Sequence, residues 1–143
     1  MSQTSKEISC TIHSRLEELS KIEHLSEKVA RKMDLSEDQQ DNLSIAVTEA
    51  VGNAIVHGNK KDSRKKVYII FQLEKDRVKV TVRDEGRGFD PDQLTDPLDP
   101  RNIMKESGRG LFILKTLMDD VSFTFSPKGT TIYFVMKKKD NIQ

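Results

Sequence analysis

The sequence predicts an α+β fold in which one mostly antiparallel sheet carries about three helices on one face. Two pairs of β-branched and aromatic runs, each joined by a short turn, are typical of antiparallel hairpins. Two long segments before the first hairpin carry apolar residues at helical spacing, and a shorter apolar segment lies between the hairpins. We expect the other face of the sheet to be partly open.

The N-terminal segment predicts a strand followed by a helix. Ile8, Cys10 and Ile12 alternate with polar residues, which is the period of a half-buried strand. From Leu16 onward the apolar positions follow a helical stripe, and they are Leu19, Ile22, Leu25, Val29 and Met33.

A second helix is predicted from Ser36 to Gly58. Ser36 and Gln39 have the spacing of a capping box, and Gly58 is a natural helix stop. Its core stripe is Leu43, Val47, Ala50, Val51 and Ala54. At 100° per residue, Glu49 and Asn53 project to nearly the opposite side. That side also carries Ile45, Ala46 and Val56. The two polar side chains are therefore expected to lie in a lined pocket.

The C-terminal half predicts two hairpins. The runs "VYIIFQLE" and "DRVKVTVRDEG" flank a turn at Lys75 and Asp76, and the valines of the second run share one face with Asp84. After "SGRG", a helix over "LFILKTLMDD" precedes the hairpin formed by "VSFTF", "SPKG" and "TTIYFVMKKK". Residues 89–107 are rich in proline and acidic residues, and we expect them to form a mobile lid.

Composition favours one domain over residues 1–143, because 35% hydrophobic residues in 143 suffice for a single core. A formal net charge of +1 gives no overall attraction to nucleic acid or to a membrane. Cys10 is the only cysteine, and the sequence shows neither a signal peptide nor an apolar stretch of membrane-spanning length. We therefore expect a cytoplasmic protein that contacts neither nucleic acid nor membrane directly.

Asp84 ends an otherwise apolar strand face and needs a hydrogen-bond donor. The exocyclic amine of a purine is one such donor, and Gly86 and Gly88 leave room for a flat ligand beside it. Alternatively, Asp84 only caps the turn that follows it.

The second glycine pair, Gly108 and Gly110, lies where a helix begins, so free amide groups can bind an anion such as phosphate. Lys105 and Arg109 add donors. The alternative is ordinary capping with two solvated cations.

On the second helix, Glu49 and Asn53 are candidates for a general base and a metal ligand, respectively. An amide oxygen of Asn53 suits magnesium, and Glu49 suits a general base that accepts a proton from a hydroxyl. The alternative is two polar residues on a wet helix face. His57 either joins this site or only caps the helix end.

Other common site motifs are absent from the sequence. It contains no P-loop, no dinucleotide fingerprint and no Cys/His metal spacing. The basic runs at 60–66 and 137–139 lack interleaved aromatic residues, so we interpret them as solvated segments rather than a nucleic-acid surface.

The motifs together resemble a known superfamily. "TEAVGNAIVHG" is similar to the N box, "DEGRGF" to the first glycine box and "SGRGLFI" to the second glycine box of the GHKL ATP-binding proteins. Within that group, the length, the leading strand and helix, and "LMDDV" followed by "KGTTIYFVMKK" resemble the bacterial anti-sigma factor serine kinases of partner-switching systems.

The resemblance implies a two-layer α/β sandwich, ATP and Mg²⁺ as cofactors, and a lid over the nucleotide. It implies that Asn53 binds the metal, Glu49 is the catalytic base and Asp84 contacts the adenine amine. The implied nucleotide-binding set is Asn53, His57, Asp84, Gly86, Gly88, Phe89, Lys105, Ser107, Gly108, Arg109, Gly110, Leu111 and Thr130.

The resemblance also implies a homodimer that sequesters a sigma factor and phosphorylates a serine of a STAS-type anti-anti-sigma protein. A nucleotide-gated binding module with little kinase activity, or with a target other than a sigma factor, is the alternative. A detached histidine-kinase domain is disfavoured, because no histidine lies in the context of a phosphoacceptor helix. A gyrase-like ATPase is disfavoured because the chain has no room for the second domain that completes that site.

Overall fold

In a computed structural model, residues 6–86 and 109–139 are described. Their strands are β1 Lys6–His13, β2 Lys66–Leu73, β3 Arg77–Arg83, β4 Asp120–Ser126 and β5 Gly129–Lys137. Their α-helices are α1 Leu19–Lys32, α2 Glu37–Asn53 and α3 Arg109–Leu117. A short 3₁₀ turn over Leu16–Glu18 precedes α1, and a π-helical turn over Ala54–Gly58 extends α2.

The strands form one sheet in the order β1-β2-β3-β5-β4, and every neighbouring pair is antiparallel. Both predicted hairpins are confirmed: Leu73 pairs with Val78 beside the first turn, and Ser126 pairs with Gly129 at the second. The predicted α+β class is confirmed as well, with three α-helices in the described residues.

The hydrophobic core lies between one face of the sheet and the helices. Alternate residues of the central strands are buried, and they are Val67, Ile69, Phe71, Leu73, Val78, Val80 and Val82. The helices contribute Ile22 and Val29 from α1, Leu43, Val47, Ala50 and Val51 from α2, and Leu114 from α3. The opposite row of the sheet, which includes Tyr68, Ile70 and Thr81, stays half-buried.

The sequence placed the end of the third helix too late. Helix α3 ends at Leu117, and Asp120 already belongs to β4. The reason is strand pairing: the Asp119 backbone N–H donates to the Val135 carbonyl at 2.9 Å, and its Oδ2 accepts from the Lys137 N–H at 2.7 Å. The predicted lid over residues 89–107 lies outside the described residues.

At the start of α2, only one of the two hydrogen bonds of the predicted capping box forms. Ser36 Oγ accepts a hydrogen bond from the Gln39 N–H at 3.2 Å, as predicted. The Gln39 side chain, however, is buried and does not return to Ser36. Its Nε2 donates to the Lys137 carbonyl at 2.8 Å, and its Oε1 accepts from the Lys139 N–H at 3.2 Å. Gln39 therefore joins the start of α2 to the end of β5.

The far end of α2 widens into a π-helical turn. The Asn59 N–H donates to the Ala54 carbonyl at 2.8 Å, and the next two residues, Lys60 and Lys61, have left-handed φ angles of 54° and 60°. This turn brings Gly58 against Asp84, where a Cβ on Gly58 would overlap the carboxylate. Gly58 thus ends the α2 segment as predicted and also permits a close contact.

The longest α-helix of residues 6–86 and 109–139 has 17 residues, and no helix there is long and apolar enough to cross a membrane.

The two glycines of the α2 segment differ in surroundings and provide a matched test. A Cβ at Gly52 would meet no heavy atom within 4 Å, so Gly52→Ala should raise the free energy of unfolding by about 0.5–1 kcal/mol through helix propensity. Gly58→Ala should lower it by roughly 1–3 kcal/mol, because the methyl group forces Asp84 to move. Urea denaturation of both variants measures the difference. Equal stability of Gly58→Ala and the wild type would contradict the close contact.

Candidate functional site

Asp84 lies just after β3 and is only 5% exposed. Its Oδ1 accepts hydrogen bonds from the Gly86 and Thr130 backbone N–H groups, both at 3.0 Å, and its own N–H donates to the Thr130 carbonyl at 3.0 Å. The capping alternative is therefore correct for Oδ1. Within residues 6–86 and 109–139, no hydrogen bond reaches Oδ2, so this oxygen keeps its capacity to accept a ligand donor.

Two opposing effects act on the pKa of the Asp84 carboxyl, and the net result is a raised pKa. Burial raises the pKa of this carboxyl above its ordinary value, while the Gly86 and Thr130 N–H groups and the charge of Lys65 act in the opposite direction. Since burial is the larger effect, a further donor at Oδ2 would stabilise the ionised form.

Three glycines from separate segments surround Asp84. A Cβ on Gly86 would overlap the Gly58 carbonyl, and one on Gly129 would overlap the Asp84 carbonyl. Gly129 also has a φ of 151°, which side chains rarely adopt. The sequence interpretation included Gly86 but missed Gly129, which it read only as a turn residue.

Asn53 ends helix α2 and carries an orphaned polar atom. Its Nδ2 is buried and has no hydrogen-bond partner among the described residues. A buried amide left in this state costs about 1–3 kcal/mol, which a ligand acceptor would offset. Half a turn of the amide exchanges its nitrogen and oxygen, so the same side chain can also present an oxygen to a cation.

The amide of Asn53 is the group whose chemistry fits a magnesium ion at this site. The described residues contain no group of three or more His, Cys, Asp or Glu side chains that could hold a metal. Magnesium commonly takes one or two protein oxygens and completes its shell with phosphates and water. An amide oxygen of Asn53 suits that arrangement.

Glu49 lies one helical turn before Asn53 and is half-buried, as is Asn53. Both side chains are partly shielded from solvent, while Ile45 on the same side is 45% exposed. The lined pocket around them stays a prediction. Among the described residues, the Glu49 carboxylate makes no hydrogen bond or ion pair. It is therefore available to accept a proton.

The structure describes only some of the other predicted site residues. Thr130 contacts Asp84 through its backbone, whereas the side chain of His57 is exposed in the π-helical turn and bonds to no described residue. Arg109 and Gly110 begin α3, as the helix-start interpretation predicts. Gly88, Phe89, Lys105, Ser107 and Gly108 lie outside the described residues, and the side chains of Arg109 and Leu111 are not described.

Sequence reasoning missed Asn59, a fully buried residue beside Gly58. Its Nδ2 donates to Ser14 Oγ at 2.7 Å and to the Lys66 carbonyl at 3.0 Å, and its Oδ1 accepts from the Glu85 N–H at 2.8 Å. An asparagine next to a glycine is typical of an exposed turn, so the sequence gives little sign of this burial.

Comparison with known proteins identifies the family. A family model described as a histidine kinase-like ATPase domain matches residues 12–136. The chain is 40% identical over 99 residues to the serine-protein kinase RsbW of Bacillus subtilis, covering 65% of this chain but only 62% of that protein. It is 40% identical over 104 residues to the anti-sigma F factor of Bacillus subtilis, covering 71% of each. It is 34% identical over 116 residues to RsbW of Staphylococcus epidermidis, covering 76% and 72%.

Solved structures agree on the fold. The chain is similar to a structure of the RsbU and RsbW domains of a Mycobacterium tuberculosis protein, with a TM-score of 0.68, 16% identity, and coverage of 96% of this chain and 35% of that one. It is also similar to the catalytic domain of the histidine kinase ThkA, with a TM-score of 0.53, 19% identity, and coverage of 96% and 98%. With the family model spanning most of its length, the chain belongs to the family of histidine kinase-like ATPase domains.

Proposed function

We propose that the protein is an ATP-dependent serine protein kinase and anti-sigma factor of a partner-switching system. The observation that carries the proposal is the buried amide nitrogen of Asn53, one helical turn from Glu49, where neither side chain has a bonding partner among the described residues. Relatives named serine-protein kinase and anti-sigma F factor support the kinase activity and the sigma-binding activity, respectively.

In this proposal ATP binds with its adenine at Asp84. The free Oδ2 accepts a hydrogen bond from the exocyclic amine, while Gly86 keeps the backbone open to a flat ring. The phosphates lie towards the start of α3, because the backbone N–H groups of a first helical turn favour anions. The proposal also includes the other predicted nucleotide contacts, which are His57, Gly88, Phe89, Lys105, Ser107, Gly108, Arg109, Gly110, Leu111 and Thr130.

The transfer step uses residues of α2. Asn53 would hold a magnesium ion, which when bound would neutralise part of the phosphate charge. Glu49 accepts the proton of the attacking serine hydroxyl as the bond between serine oxygen and phosphorus forms. The bond from the γ-phosphorus to the bridging oxygen breaks at the same time, and ADP leaves with that oxygen.

The partners complete the proposed circuit. A homodimer in the cytoplasm holds a sigma factor and phosphorylates a STAS-type antagonist on a serine. The new phosphate carries about two negative charges, so the modified antagonist is hard to desolvate and docks poorly. Release of the sigma factor then depends on how much unmodified antagonist is present.

Glu49→Gln tests the kinase step. With magnesium, γ-labelled ATP and candidate small antagonist proteins from the same genome, the wild type should produce a phosphoserine detectable by mass spectrometry. The variant should transfer about 10²–10⁴ times more slowly, because its amide cannot accept the proton. Glu37→Gln, an exposed change on the same helix, is the control and should leave the rate unchanged.

One outcome would overturn the catalytic role of Glu49, and another would overturn the kinase assignment. Undiminished transfer by Glu49→Gln would remove Glu49 from the chemistry. Tight ATP binding without labelling of any candidate would instead favour a nucleotide-gated binding module, whose target a pull-down with ATP would identify.

Asp84→Asn tests where the base binds. The Asn oxygen can keep the bonds from Gly86 and Thr130, but its NH₂ group then replaces Oδ2 and meets the adenine amine donor to donor. Calorimetry should show ATP affinity reduced by about 10–100-fold. Asp119→Asn, a change at an exposed carboxylate that also accepts a backbone N–H, should bind ATP like the wild type. Unchanged affinity in Asp84→Asn would place the base elsewhere.

A further inference from the structure

We propose that Asn59 is a positioning residue for purine recognition, holding the Asp84–Gly86 turn where the Asp84 carboxylate meets the base. This inference rests on the proposed contact between Asp84 and the adenine amine. Asn59 itself touches no ligand in this scheme. It acts through the backbone of Glu85, the central residue of the turn.

The turn is held from two sides. On one side, Thr130 of β5 exchanges hydrogen bonds with the Asp84 backbone and carboxylate. On the other side the regular pairing of β3 with β2 ends at Tyr68 and Arg83, so the Glu85 N–H lies beyond the ladder. Asn59 Oδ1 takes the place of a strand carbonyl and accepts that N–H at 2.8 Å.

Asn59 is itself fixed in place. It is 0% exposed, and its two donor bonds fasten the amide to Ser14, just after β1, and to the first residue of β2. Its backbone N–H closes the π-helical turn onto Ala54. A side chain bonded at both nitrogen and oxygen cannot rotate without breaking several bonds, so its Oδ1 defines one position for the Glu85 N–H.

The Glu85 side chain strengthens this side of the turn without replacing Asn59. Its Oε1 accepts from the Lys66 N–H at 2.7 Å, and its Oε2 accepts from the Tyr68 hydroxyl at 2.7 Å. These bonds hold the carboxylate end of Glu85, which is separated from the turn backbone by flexible side-chain bonds. Among the bonds of residues 6–86 and 109–139, only the Asn59 bond acts directly on the peptide group between Asp84 and Glu85.

Asn59 also connects the two halves of the site. It follows Gly58, which packs against Asp84, and lies just beyond the helix that carries Glu49 and Asn53. Asn59 therefore connects the end of the helix to the Asp84–Gly86 turn. A shift of the turn of about 1 Å would weaken a single directional bond to the amine while leaving contacts with the phosphates largely intact.

The experiment compares the affinities of ATP and purine riboside triphosphate, an analogue that lacks the exocyclic amine. The wild type should prefer ATP by about tenfold or more, the worth of one hydrogen bond to a charged acceptor. Asn59→Ala should lower that preference to about threefold or less. Because both nucleotides bind the same folded molecules, partial unfolding weakens both and leaves their ratio unchanged.

Two further variants separate positioning from stability. Ser14→Ala removes a buried partner of Asn59 but not its bond to Glu85, so it should keep the wild-type preference. Asn59→Asp retains an acceptor for the Glu85 N–H while losing both donor bonds that fix it. It should be less stable, and its preference should lie between those of the wild type and Asn59→Ala. If Asn59→Ala does not fold, Asn59→Ser replaces it, since its hydroxyl is one bond shorter than the amide oxygen.

The outcomes distinguish the two proposals. A wild-type preference for ATP that persists fully in Asn59→Ala or Asn59→Ser overturns the positioning role and leaves the Asp84 contact intact. A preference lost equally in Ser14→Ala also overturns it, because general loosening would then explain the effect. A wild type that binds both nucleotides equally refutes the base contact at Asp84, and with it this inference.

Discussion

The buried carboxylate of Asp84 constrains how three separate segments of the chain pack. A carboxylate in an apolar surrounding is costly unless backbone donors reach it, and here the donors are the N–H groups of Gly86 and Thr130. Thr130 reaches Asp84 only because the β4–β5 hairpin passes beside the end of β3, which requires the left-handed Gly129. The end of α2 approaches from another side, which requires Gly58. Sheet, hairpin and helix therefore meet at one charged group whose second oxygen receives no hydrogen bond from the described residues.

Helix α2 contributes both to the core and to the candidate site, because its two faces carry different kinds of residue. One face carries Leu43, Val47 and Val51 into the core, and the other presents Glu49 and Asn53. Buried side-chain amides fasten the segment at both ends: Gln39 bonds to the end of β5, and Asn59, just beyond the π-helical turn, bonds to the strands and to Glu85. A site carried on an element fixed in this way keeps its geometry better than one carried on a free loop.

The sequence predicts those parts of this architecture that depend on local periodicity. Alternation fixed the buried face of β3, and the helical stripe located the core side of α2, because each pattern reports burial from neighbouring residues alone. The failures share a different cause. The partners of Gln39 lie 98 and 100 residues away, and Glu85, which Asn59 holds, lies 26 residues away, so no local pattern reveals them. Gly129 was missed for the same reason, since the close contact that it permits is with the distant Asp84.

Locally unfavourable features concentrate on the side of the molecule that carries the candidate site. The Asn53 amide lacks a described partner, and burial opposes ionisation of Asp84. Gly52, a residue of low helix propensity, lies inside α2 where a side chain would meet open space. By contrast, the buried polar groups away from this side, Gln39 and Ser26 among them, are bonded. In the proposed mode of binding, a ligand that supplies an acceptor to Asn53 and a donor to Asp84 offsets both costs, and it does so only in the folded state. In that mode of binding, nucleotide affinity and folding stability are therefore coupled through the same two side chains.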